Sequence, residues 1–294
     1  MFAVLKREFR SYFQNVIGWL FVAVLMALFG LYFYVYNLRQ GYPYLYYTLS
    51  AITIIFMIAV PILTMRSFAE DRKNKTDQLM LTAPVPVAKV VLGKYLAMLA
   101  VFTVDIAVFC VTPLILRAFG TIPMGESYIA ILAFWLYGAA SIAVGMFISA
   151  LTESQVIAAV LTFVVLFISY MMQSLTGLIS SDGNWLTKIL NCLDLYAPFE
   201  KFQGGCLDIT AILYYVTVIV LFNFFTVQAI QKRRWSISKK TFSLSVFSSS
   251  FIVVVFALAV VANLAVDALP TRITSVDCSC LLYTSDAADD TPCV

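Results

Sequence analysis

Long apolar runs separated by polar connections dominate this 294-residue chain. Seven of them stand out, at about 16–37, 46–65, 93–116, 128–150, 155–179, 209–230 and 242–266. Each is long enough to cross hydrocarbon of about 30 Å, which takes ~20 helical residues. None carries more than one ionisable group in its middle. The pattern predicts an all-α integral membrane protein. Ahead of the first run the period changes: Phe2, Leu5, Phe9 and Tyr12 or Phe13 recur at helical spacing opposite Lys6, Arg7 and Arg10. This predicts an amphipathic helix over 1–14, lying in the interface with its basic face towards lipid headgroups. The opening MFAVLKREFRSYFQN lacks the short apolar core and small residues of a cleavable signal.

The polar positions orient the spans. With the N-terminus inside, only Arg39, Arg117, Lys188, Lys201 and Arg272 of the 19 Lys and Arg residues fall outside. The other fourteen lie in cytoplasmic segments, a strong positive-inside asymmetry.

Composition narrows the chemistry. The chain is 62% hydrophobic and 12% charged, with a mean hydropathy of +0.93, and has no His. That removes His-based acid–base catalysis, Ser-His-Asp triads and the usual zinc sites. No GxxxxGK[ST] occurs, since Gly93-Lys94-Tyr95 lacks both the loop and the hydroxyl. The chain therefore has no P-loop with which to split ATP. An intramembrane enzyme would need a convergent set of acids, which is not apparent. The expectation is a protein that is not an enzyme and holds no cofactor of its own.

The longest cytoplasmic connection, 66–92, contains RSFAEDRKNKTDQLMLTAPVP. Glu70, Asp71, Arg72 and Lys73 leave the membrane, and Thr76 caps a short helix with Asp77 in its first turn. Leu79, Met80 and Leu81 give that helix an apolar face, and Pro84 and Pro86 end it. Such a helix either docks a soluble partner or packs on its own neighbouring loops. The residues alone favour neither.

AEDRKNKTDQLMLTAPVPVAKVVLGKYLA resembles the first cytoplasmic loop of type-2 ABC transporter permeases. Glu70, Asp71, Arg72, Lys73, Thr76, Leu79, Leu81, Thr82, Pro84, Val85, Gly93 and Lys94 match that family's pattern. Lys75 stands where the family usually has Gly, and Gln78 where Glu is common. A second patch, 199–235, resembles the last external loop and sixth span, through Phe202, Gly205, Asp208, Tyr214, Tyr215 and Arg233-Arg234-Trp235. The likeness covers 1–236 and is closest to the gliding-motility-type permeases. It implies a six-span permease domain over 15–236 that forms a homodimer or heterodimer in the bacterial inner (plasma) membrane. Two cytoplasmic ATPase subunits would bind the ATP and Mg, and their closure would move spans 1, 2 and 5 through the loop helix. The seventh span, within 237–279, fits a subgroup in which an extra span leads to an extracytoplasmic domain. Mechanotransmission to such a domain, without substrate translocation, is therefore the alternative to export. The expected partners are the ATPase, a second permease and membrane lipid, with no nucleic acid; no substrate is legible.

Further candidates lie in and beyond the spans. Asp105 is the lone carboxylate deep inside a span, a candidate intramembrane polar site or a carboxyl bonded to a neighbouring helix. The external loop 180–208 mixes Asp182, Trp185, Asp194, Tyr196, Pro198, Phe199 and Glu200, which suits short interfacial or re-entrant helices. By resemblance, Tyr196, Phe199, Glu200 and Phe202 are candidates for an outer gate; a simple surface cap is the plainer reading of most of them. Cys192 and Cys206 share this loop, where a disulfide depends on geometry. Cys110 reads as packing. Pro61 and Pro113 predict kinks, and Gly138 and Gly145, seven apart, predict one close-packing face.

The last residues differ in kind. Cys280 to Asp290 resembles a transposase sequencing adapter translated in one frame, so 280–294 is expected to be an artefact and the natural protein to continue beyond Ser279. Without Asp286, Asp289 and Asp290 the 16 acidic residues fall to 13 against 19 basic ones.

Overall fold

The computed structural model describes residues 2–74, 86–118, 123–179, 194–202 and 208–232, and six helical positions between 254 and 261. All regular structure among them is helical. This follows from the apolar runs, because a helix satisfies its backbone polar groups internally where no water is at hand. The helices are α1 Phe2–Gln14, α2 Val16–Phe33, α3 Leu45–Thr64, α4 Ala69–Lys73, α5 Val87–Phe109, α6 Thr112–Arg117, α7 Met124–Leu151, α8 Gln155–Ile179, α9 Ala197–Glu200 and α10 Ile209–Lys232. A π-helical turn, Tyr34–Arg39, extends α2. Six of these segments are long and apolar enough to cross a membrane: α2, α3 with α4, α5 with α6, α7, α8 and α10. They correspond to the first six runs; most of the seventh lies outside the described residues.

α7 is the centre of the bundle. In its most apolar window 83% of residues are buried, against 28% for α2 and α8. It packs against α3, α5, α8 and α10. Small residues make this possible. A Cβ on Gly138 would stand 2.3 Å from Phe102 Cε1 and 3.0 Å from Phe56 Cζ. One on Gly145 would stand 2.5 Å from Thr64 Oγ1 and 3.0 Å from Thr162 Cγ2. The expected close-packing face is real, and the two glycines receive three different spans. α2 and α8 instead expose Val24, Leu31, Val156, Val160 and Val164, the apolar surface that a bilayer covers.

Two boundaries differ from the hydropathy pattern. Span 3 starts at Val87, because Pro86 (φ −62°, ψ 131°) ends the connection and opens the helix. The expected loop 66–92 thereby shortens from both sides, with α4 at its start. The kink expected at Pro113 is a full break: α5 ends at Phe109, and α6 begins at Thr112 with Pro113 in its first turn. Thr112 Oγ1 donates to Phe109 O at 2.7 Å across the break. α3 runs through Pro61 and ends at Thr64. Cys110 is half-buried and unpaired. Cys192, Cys206, Asp182, Trp185 and the 280–294 tail lie outside the described residues.

Candidate functional site

α1 is amphipathic as its pattern requires: Tyr12 is buried, Phe9 and Phe13 pack on the core, and Lys6, Arg7 and Arg10 are exposed. A single residue, Asn15, separates it from α2. The helix does more than lie in the interface, since it packs along α5. The Tyr12 hydroxyl donates to Leu63 O, at the end of α3, at 3.4 Å. Burial first, and then the neighbouring Glu8, push this phenol above its ordinary range, so it stays a donor.

Lys94 organises the joint where α1, α3–α4 and α5 meet. Its side chain is 5% exposed. Nζ donates to Asp71 Oδ2 at 2.6 Å and to Ser67 O at 2.7 Å. Glu8 Oε1 lies 3.7 Å away, and the Phe68 ring centroid 5.0 Å away. A buried ammonium is costly unless paired and hydrogen-bonded, and these groups meet that requirement. Arg66 and Glu70 form a second pair one turn apart on the same segment. The turn between α3 and α4 is held from α7: Ser149 Oγ accepts the N–H groups of Phe68 and Ala69, each at 3.2 Å, and donates to Met65 O at 3.3 Å. The wholly buried Ser149 thus caps α4 from another helix. Of the residues expected to form the coupling loop, Glu70, Asp71, Arg72 and Lys73 lie in the five-residue α4, at the edge of this joint. Thr76, Leu79, Leu81, Thr82, Pro84 and Val85 lie outside the described residues.

At the opposite end of the bundle, residues 194–202 form a plug of mostly buried side chains. Leu195, Tyr196, Pro198, Phe199 and Phe202 are all buried, and Glu200 is half-buried. Asp194 starts the turn by accepting the N–H groups of Tyr196 (2.8 Å) and Ala197 (3.0 Å). Ser169 Oγ of α8 accepts the Leu195 N–H at 2.9 Å, and Tyr215 of α10 donates to Leu195 O at 2.8 Å. The Tyr196 hydroxyl meets Ser50 Oγ of α3 at 2.7 Å. Phe199 sits among Tyr46, Phe134 and Tyr137, with ring centroids 5.3, 6.4 and 6.2 Å away. Three of the four candidate gate residues are therefore core aromatics gripped by several spans. Burial raises the Asp194 carboxyl above its ordinary range, while the Ala197 and Tyr196 N–H groups pull it back and Glu200 adds to the rise.

Asp105 is wholly buried in α5, and neither carboxyl oxygen has a hydrogen-bond partner among the described residues. The expectation of a bond to a neighbouring helix is not met there. Phe102 and Phe109, three before and four after, share its helical face. Phe109 in turn stacks on Phe29 of α2 at 3.8 Å. Among the described residues no group of His, Cys, Asp or Glu is placed to hold a metal.

Residues 33–204 match the family described as ABC-2 family transporter protein, more than half of the chain. The chain belongs to that family. The match runs from the C-terminal end of α2 to the plug, and takes in Lys94, Asp71, Ser149 and Phe199. This ABC-2 protein is a multi-pass membrane subunit of an ABC transporter, and membership implies a partner ATPase subunit. No curated protein matches the sequence.

Proposed function

We propose that this ABC-2 subunit is an exporter permease of the bacterial inner membrane, driven by a separate cytoplasmic ATPase that docks on residues 75–85. The carrying observation is the Lys94 joint. It ties the segment leading into that loop, through Asp71 and Ser67, to α5, and brings Glu8 of α1 alongside. A push on the loop would then move three helices as one body instead of bending a free linker. The positive-inside asymmetry supports a cytoplasmic loop and N-terminus. At the far end, Tyr196, Phe199 and Phe202, with Glu200 at the rim, close the outer mouth in the resting state. Asp105 is a polar site on the span between these two ends. A pair of such chains forms the pathway, and the gliding-motility-type permeases are the subgroup we assign.

The apolar run 242–266 supports a second reading, in which ATP-driven movement is passed through span 7 to an extracytoplasmic domain. Both readings require the motor. Leu79→Asp combined with Leu81→Asp is expected to abolish co-purification of the ATPase while the chain still inserts. Undiminished ATPase binding by the inserted variant would contradict the docking assignment.

A further inference from the structure

We propose that the crevice between α1 and the α3–α4 turn binds the phosphate headgroup of an anionic phospholipid, in the leaflet where the N-terminus lies. The crevice measures about 760 Å³, within the range of small-molecule sites. Lys6, Arg7, Arg10, Arg66 and Lys94 line it, against three carboxylates, leaving an excess of two positive charges. The carboxylates are engaged: Asp71 by Lys94, Glu70 by Arg66, and Glu8 by Arg7 at 2.9 Å, with Lys94 beyond it. Lys6 and Arg10 have no ion pair among the described residues, and both are exposed. Four residues apart on α1, they stand on one face and point a double positive charge at the same space. Ser11 and Gln14 add neutral hydrogen-bonding groups to the wall.

The depth of the crevice favours a lipid over a dissolved anion. α1 passes into α2 through Asn15 alone, and Trp19 lies in the first turns of the span. Trp19 is 59% exposed; its indole N–H donates to Phe13 O at 2.8 Å, and its ring meets Phe13 edge-on at 5.4 Å. An exposed Trp at a span end marks the headgroup level. From there Val16, Leu20 and Val24 form an exposed apolar track down α2, along which an acyl chain can lie. Basic pockets beside spans on the side of the anionic leaflet suit such headgroups, and each Lys or Arg contributes about fivefold in affinity.

The test uses the full chain in non-ionic detergent, titrated with dioctanoyl phosphatidylglycerol, dioctanoyl phosphatidylcholine and inorganic phosphate, with binding read by native mass spectrometry and thermal shift. Phosphatidylglycerol should bind at least about tenfold more tightly than phosphatidylcholine, and inorganic phosphate should compete only weakly. Lys6→Gln with Arg10→Gln should weaken phosphatidylglycerol about 30-fold. Arg39→Gln with Arg117→Gln makes the same charge change at the other end of the bundle and should leave binding unaltered. Equal binding of the two lipids, wild-type affinity in the Lys6/Arg10 variant, or an equal loss in the Arg39/Arg117 variant would overturn the proposal. Inorganic phosphate binding as tightly as the lipid would overturn the lipid assignment.

Discussion

Lys94 Nζ donates to Asp71 Oδ2 at 2.6 Å, joining span 3 to the short helix that leads into residues 75–85. Lys94→Met keeps the length of the side chain but removes the cation, so Ser67 O and Asp71 lose this one donor. Breaking a fully buried pair costs about 3–5 kcal/mol. Asp71 is 27% exposed, so water screens part of the loss, and about 2 kcal/mol is expected. Denaturant unfolding in detergent measures this. Adding Asp71→Leu should recover part of the loss, because the two residues are coupled. Strict additivity of the two substitutions would contradict the pairing.

Gly138 tests the packing at the centre of the bundle. Alanine there would place its methyl 2.3 Å from Phe102 Cε1. That ring has no room to retreat: Phe102 is fully buried, with Phe56 and Phe134 rings 5.0 and 5.9 Å from it. Gly138→Ala should therefore destabilise by about 1–3 kcal/mol, the usual cost of overpacking. Gly30→Ala is the control. A methyl there meets nothing within 4 Å, so the change should be neutral or stabilising by up to ~1 kcal/mol. Melting temperatures of both variants check the contrast.

Much of this arrangement is legible in the sequence, because hydropathy period and glycine spacing are local signals. Spans 1–6, the amphipathic α1 and the Gly138/Gly145 face all follow from residues within a few turns of one another. The Lys94 joint does not. Its partners, Asp71 and Glu8, lie 23 and 86 positions away, and a lysine at a span end reads equally well as one reaching for water. Ser149 capping α4 from α7 leaves no trace in sequence, since capping patterns are read within one helix and its own flanks. The plug shows the same limit. Tyr196, Phe199 and Phe202 look like interfacial aromatics by type, and only the surrounding spans decide that they are buried.

Asp194 gives the plug a pH dependence. Burial holds its folded pKa above the unfolded value of about 3.9. For an acid with a raised pKa the fold binds the proton more tightly than the unfolded chain does. The associated stabilisation is therefore complete below pH ~3.9 and is lost as pH rises through the raised value. Asp194→Asn keeps an acceptor for the Tyr196 and Ala197 N–H groups but cannot titrate. Wild-type melting temperature should fall, relative to the variant, as pH rises from 4 towards 7. Parallel profiles for the two proteins would contradict this.

The account depends most on residues 75–85 facing the cytoplasm, where an ATPase can reach them. Lys75→Cys, in a chain whose six cysteines are replaced by serine, reports this with a membrane-impermeant maleimide. Labelling of inside-out vesicles and none of intact cells is the predicted result. Labelling of the introduced thiol from outside intact cells would invert the topology and contradict the coupling of this permease to a cytoplasmic motor.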